Sequence, residues 1–235
     1  MPTKKKRRPR WYERESKPTD PRLWLYGRVP AGFWQAADNR RLYMDWLGEQ
    51  LGFENIEDWY HLSKQHLGER RGTQLLLMFG SSPCAIVKDY LPQYRWQEWR
   101  FRQVRQGFWN DPVNRHRYMN WLRTQLGFHH LEDWYRITKH DFKQWYGGGL
   151  LAWFADSPSA VIRDYQPEYK WLEWRFTHVP HGFWSDPANR HRYMDWLGEQ
   201  LGFQRIEDWY KISYEDITRR YGSRLLTKYG DSPIA

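Results

Sequence analysis

The sequence holds a single cysteine, Cys84, and no apolar run that approaches the ~20 residues of a membrane-spanning helix. The first absence excludes an intrachain disulfide and any zinc site built on cysteines, and it fits a reducing compartment. The second leaves no span to expect, and so no membrane partner. The opening MPTKKKRRPR has neither the apolar stretch of a secretory signal nor the alternating apolar face of a mitochondrial presequence.

Recurring catalytic chemistry is also missing. The nine histidines fall at no metal-ligand spacing, and His116 and His191 face Arg41 at the corresponding place upstream. The Glu-Asp pair of EDWY is adjacent in sequence, so on a helix the two carboxylates point apart, unlike a two-carboxylate acid/base site. GGGLL at 147–151 lacks the GK[ST] ending of a phosphate loop. Cys84 is replaced by Ser159 one period later. These observations predict a non-enzymatic protein with no catalytic residue, no metal and no cofactor.

Aromatic residues, by contrast, make up 19% of the chain, far more than a disordered sequence carries. Their placement reveals a period of 75 residues without insertion or deletion. NRRLYMDWLGEQLGF at 39–53 returns as NRHRYMNWLRTQLGF at 114–128 and NRHRYMDWLGEQLGF at 189–203. Gly-Phe-Trp recurs at 32, 107 and 182, Glu-Asp-Trp-Tyr at 57, 132 and 207, and Ser-Pro at 82, 157 and 232. A fixed period of this kind marks an array of similar units. The expected organisation is a basic arm at 1–16, then units at 17–91, 92–166 and 167–235. The last unit lacks a counterpart of VIRDYQPEYKWLEWRF and is expected to be incomplete at its C-terminal end.

Each unit reads as helical. Asp111-Pro112 and Asp186-Pro187 have the form of an N-cap followed by proline at the first helical position. Tyr118, Trp121, Leu122 and Leu126 then lie on one helical stripe, and Gly127 closes the helix in the left-handed conformation. Ser63, Thr138 and Ser213 open a second short helix, with Asp141 and Asp216 completing capping boxes. Gly72, Gly147 and Gly222 are expected to end it. Leu-Leu pairs begin a third helix, and Ser-Pro begins a fourth. WLEWRF at 171–176 reads equally as a short helix or an extended strap. The predicted fold class is all-α: a tandem array of three ~75-residue Trp-rich helical repeats behind a basic N-terminal arm.

Twelve of the 17 tryptophans occupy four positions filled in all three copies. Fixed phase on an apolar stripe points to core rather than ligand platforms, since each buried aromatic removes ~150–250 Å² from water. Trp145 and Trp153 occur once each and are better surface candidates, suited to a protein partner. Trp11 adjoins the basic tail, where a ring stacks readily on a base.

Charge is uneven. Lys4, Lys5, Lys6, Arg7, Arg8 and Arg10 supply +6 of the formal net +9, leaving +3 for the other 225 residues. Such a run suits a nuclear localisation signal or a phosphate-binding patch. Arginine also sits at each long helix start: Arg40, Arg115 and Arg190, with Arg41, Arg117 and Arg192 close by. A cation there opposes the helix dipole, so something offsets it. The offset is either an external phosphate or an internal carboxylate, for which Glu132 and Asp133 are candidates opposite Arg115. The leading expectation is a nuclear or nucleoprotein-associated chain that binds the phosphate backbone of DNA or RNA with low sequence specificity. The alternative is a nuclear protein-interaction scaffold whose tail only directs localisation.

Overall fold

The computed structural model describes residues 20–180 and 182–233. The basic arm at 1–16, with the six cations at 4–10 and Trp11, lies outside them. Every regular element among the described residues is helical, and none is a strand. No helix there is long and apolar enough to cross a membrane.

The chain divides into two compact bodies, Met1–Gln106 and Gly107–Ala235. The first contains α1 (Ala37–Leu51), α2 (Lys64–Glu69), α3 (Thr73–Met78) and α4 (Pro83–Tyr90). The second contains α5 (Pro112–Gln125), α6 (Lys139–Gln144), α7 (Gly148–Trp153) and α8 (Pro158–Tyr165). It continues with α9 (Pro187–Leu201), α10 (Tyr214–Arg219) and α11 (Ser223–Lys228). Single 3-10 turns carry the Gly-Phe-Trp, EDWY and EWR segments.

The helix ends follow local chemistry. Asp111 and Asp186 accept from the backbone N–H two residues on, with Pro112 and Pro187 in the first turn. Ala36 stands at the matching position before α1 and offers no side-chain cap. Thr138 with Asp141, and Ser213 with Asp216, form reciprocal capping boxes. Gly127 has φ +64°, the left-handed conformation that ends a helix at little cost to a residue without Cβ.

Gly72, Gly147 and Gly222 close α2, α6 and α10 as expected, their N–H groups donating to the carbonyls of Leu67, Phe142 and Ile217 at 2.7, 2.7 and 2.9 Å. Their φ values are −85°, −90° and −89°, and the left-handed residues are their predecessors Arg71, Tyr146 and Tyr221. The reason for glycine is a close approach. A Cβ at these positions would sit 2.3, 2.0 and 2.2 Å from the hydroxyls of Tyr43, Tyr118 and Tyr193. Those tyrosines are fully buried, and each donates to the carbonyl of Arg70, Trp145 or Arg220 at 3.0–3.1 Å. The glycine therefore closes one helix and, lacking a Cβ, also makes room for a core phenol.

Around each such tyrosine the aromatic rings pack edge to face, the arrangement favoured by ring quadrupoles. Trp34 meets Tyr43 at 5.1 Å, Trp109 meets Tyr118 at 5.4 Å, and Trp184 meets Tyr193 at 5.2 Å. Most repeated tryptophans are buried here, while Trp46, Trp121, Trp196 and Trp209 are half-buried. WLEWRF is a strap with one 3-10 turn at Glu173–Arg175. Trp171 and Phe176 point to one side, against Tyr135 at 5.2 and 4.9 Å. Trp174 points to the other, against Tyr193 and Trp196, both at 5.5 Å. A single strap thus seals one aromatic cluster of the second body and seeds the next.

Candidate functional site

The arginines at the long helix starts are clamps. Arg115 donates through Nη1 to the carbonyls of Trp109 and Asn110, at 2.9 and 3.0 Å, fastening α5 to the preceding Gly-Phe-Trp turn. Its Nε and Nη2 form a fork on Asp164 of α8 at 2.8 and 3.0 Å. Trp153 covers the guanidinium at 4.7 Å and donates to Asn110. Arg40 repeats the arrangement in the first body, with the carbonyls of Trp34 and Gln35 and the carboxylate of Asp89 on α4. Paired bonds of this geometry are the strong form of a guanidinium–carboxylate contact.

This corrects the expected internal partner. Glu132 instead accepts from the Tyr169 hydroxyl at 2.8 Å. Asp133 accepts the backbone N–H groups of His129 and His130 and pairs with Arg136. A carboxylate spent on its own turn is not free for α5. The true partner lies 49 residues downstream, on a helix whose position only the fold sets.

The other predicted residues divide. Arg190 binds the carbonyls of Trp184 and Ser185 and meets no carboxylate among the described residues. Arg192 bonds the buried Glu173 at 3.0 Å, tying α9 to the strap. Arg41 and Arg117 are exposed. Trp153 is 49% exposed, whereas Trp145 is half-buried against Trp121 at 5.9 Å. The cations at 4–10 and Trp11 lie outside the described residues.

A cleft of about 450 Å³ opens in the second body between the EDWY turn at 132–135, the strap and the start of α11. Arg136, Arg175 and Arg224 line it, with Glu132 as its acidic group. Arg175 lies 4.3 Å from the Tyr135 ring and 5.8 Å from that of Tyr221, which is half exposed. Arg224 is exposed and makes no hydrogen bond or ion pair among the described residues. Glu132 is held below the usual carboxylate range by its own backbone N–H and by Tyr169, so it stays charged. The lining side chains carry a formal excess of two positive charges, Arg136 being paired with Asp133 outside the lining, beside an exposed ring, an arrangement suited to a phosphate with an attached base.

Trp174 and Trp184 floor the cleft, and their indole N–H groups lack acceptors. The equivalent groups of Trp24, Trp34 and Trp109 also lack them. This belongs to the aromatic core, where an N–H can face a ring, and does not mark a ligand.

Arg136 and Arg224 carry no signal in the sequence because they do not repeat: His61 and Lys211 match the first, Gln74 and Gly149 the second. Arg175 does recur as Arg100, a signal available in WRF. Among the described residues no three His, Cys, Asp or Glu side chains converge as a metal ion would require. Comparison with family models, curated proteins and solved structures finds no match for this chain.

Proposed function

We propose that the chain is a non-enzymatic nucleic-acid-associated array of three ~75-residue helical units behind a basic arm, binding phosphate backbone with low sequence specificity. The observation that carries this reading is the cleft bearing Arg136, Arg175 and Arg224 beside the exposed Tyr221. The six cations at 4–10 add sequence-independent attraction and direct the chain to the nucleus. Arg40 and Arg115 contribute structure rather than contact, since their guanidinium groups are engaged within the fold. DNA or RNA would lie across the cleft.

The test is a titration of the full chain, of a form lacking 1–16, and of Arg136→Gln/Arg224→Gln against duplex DNA and single-stranded RNA at two salt concentrations. The double substitution is expected to reduce the duplex salt slope by about 2, roughly one per lost phosphate contact. Binding unchanged by both the deletion and the double substitution sinks the proposal. A nuclear protein-interaction scaffold is the second reading, favoured by the mild +3 outside the tail and by the exposed face of Trp153. Partner capture that survives nuclease treatment and is lost in Trp153→Ala would select it.

A further inference from the structure

Tyr221 stands where a bulky residue is least expected. Its φ is +68°, in the left-handed region that L side chains rarely adopt. Tyr146 and Arg71 occupy the matching places one and two periods earlier, with φ values of +60° and +63°. These side chains do not serve the core: Tyr221 is 50% exposed, Tyr146 48%, and Arg71 is exposed as well. Strain held without burial points to a role at the surface. Tyr146 matches Tyr221 in exposure although α8 and the strap follow it in the chain, so the exposure belongs to the turn itself.

The surface in question is the cleft of about 450 Å³, within the range of roughly 300–1,000 Å³ that holds a small molecule. Two of its cations are available where their counterparts are not. Arg100, which matches Arg175, is spent on Glu57 at 2.6 Å. Arg175 is half-buried over the rings of Tyr135 and Tyr221, and its guanidinium makes no hydrogen bond or ion pair among the described residues. Arg224 is also unpaired there, and Gln74 and Gly149 stand in its place elsewhere. Guanidinium groups hold a phosphate through paired hydrogen bonds. Arg175 packs on the Tyr221 ring, half of which stays exposed to receive a second flat group.

We propose that the cleft is a single-strand site, taking one unpaired nucleotide with its phosphate on Arg175 and Arg224 and its base stacked on Tyr221. The proposal rests on the nucleic-acid reading and narrows it. A duplex offers phosphates to the arginines but keeps its base faces within its own stack, and extruding a base costs free energy. An unpaired strand presents phosphate and base face together. Stacking reads no base edge, so it adds affinity without sequence preference.

The experiment titrates the full chain into labelled oligothymidylate, oligouridylate and duplex DNA of equal length, at two salt concentrations, and follows fluorescence anisotropy. Tyr221→Ala should weaken both single strands about tenfold, the scale of one base stack, and leave the duplex within about twofold. Because Tyr221 is exposed, this variant keeps the fold, which circular dichroism verifies. Tyr221→Phe should bind as the parent does, since the ring is what stacks. An abasic strand should bind the parent more weakly by the same factor and show no response to Tyr221→Ala. A loss confined to one sugar supports the proposal and assigns the site to DNA or to RNA. Equal loss on duplex and single strands, or no loss on any, overturns it and leaves the phosphate-binding reading in place. Absence of salt-dependent binding to all three ligands overturns both.

Discussion

The EDWY turns at 132–135 and 207–210 have one sequence and two fates. Each follows a long helix, and in each the aspartate caps its own turn. Yet Tyr135 is 5% exposed and Tyr210 84%, while Trp134 is fully buried and Trp209 half-buried. The difference comes from what lies over them. Helix α8 and the strap cover the first turn, and no described segment covers the second. Local structure in these units therefore stands without the cover, set by caps and a buried tyrosine. Burial of the turn is conferred afterwards, by residues some 25–45 positions downstream.

The largest expected effect is a direct contrast of the two tyrosines. Tyr135→Ala removes a ring packed on two others and should cost about 3–5 kcal/mol in urea unfolding. Tyr210→Ala should fall within about 0.5 kcal/mol, as exposed substitutions do. Comparable losses would break the distinction between a covered and an open turn.

A smaller contrast lies at the helix starts. Arg115→Gln leaves Asp164 without its fork and should cost about 3 kcal/mol. Arg190→Gln loses only bonds to two carbonyls and should cost about 1 kcal/mol. In the Asp164→Asn background the Arg115 effect should shrink toward that of Arg190, which a double-mutant cycle measures.

The smallest effect is one the two turns share. Backbone N–H groups, first that of His130 for Asp133 and that of Gln204 for Asp208, hold both carboxyls below their ordinary range. A lowered folded pKa means the stabilisation is present above the unfolded value of about 4 and is lost as pH falls through the folded value. Melting temperature should decline on acidification below that point. Asp133→Asn and Asp208→Asn should each start lower at neutral pH and decline less. A decline unaltered by either substitution would remove these caps as the cause.

Much of the fold was written locally. Pro112 after Asp111, the box of Thr138 and Asp141, and the left-handed Gly127 each act within a few residues, so periodicity and capping rules locate them. Core tryptophans were legible because a stripe at helical spacing has one apolar side. Gly147 was legible as a helix end, but the reason it must be glycine was not. Its neighbour is the Tyr118 hydroxyl, 29 positions away in the chain, and no local rule contains that contact. Arg136 and Arg224 were invisible because a cleft wall needs no repeat.

The sequence by itself determined the helical class, the period and the boundaries of the long helices, since short-range hydrogen bonding and side-chain spacing suffice for these. Tertiary structure decided which charges are spent and which remain available. Arg115 and Arg190 sit in near-identical sequences, but one has Asp164 folded onto it and the other does not. Pairing depends on distances across space, which the order of residues along the chain does not state.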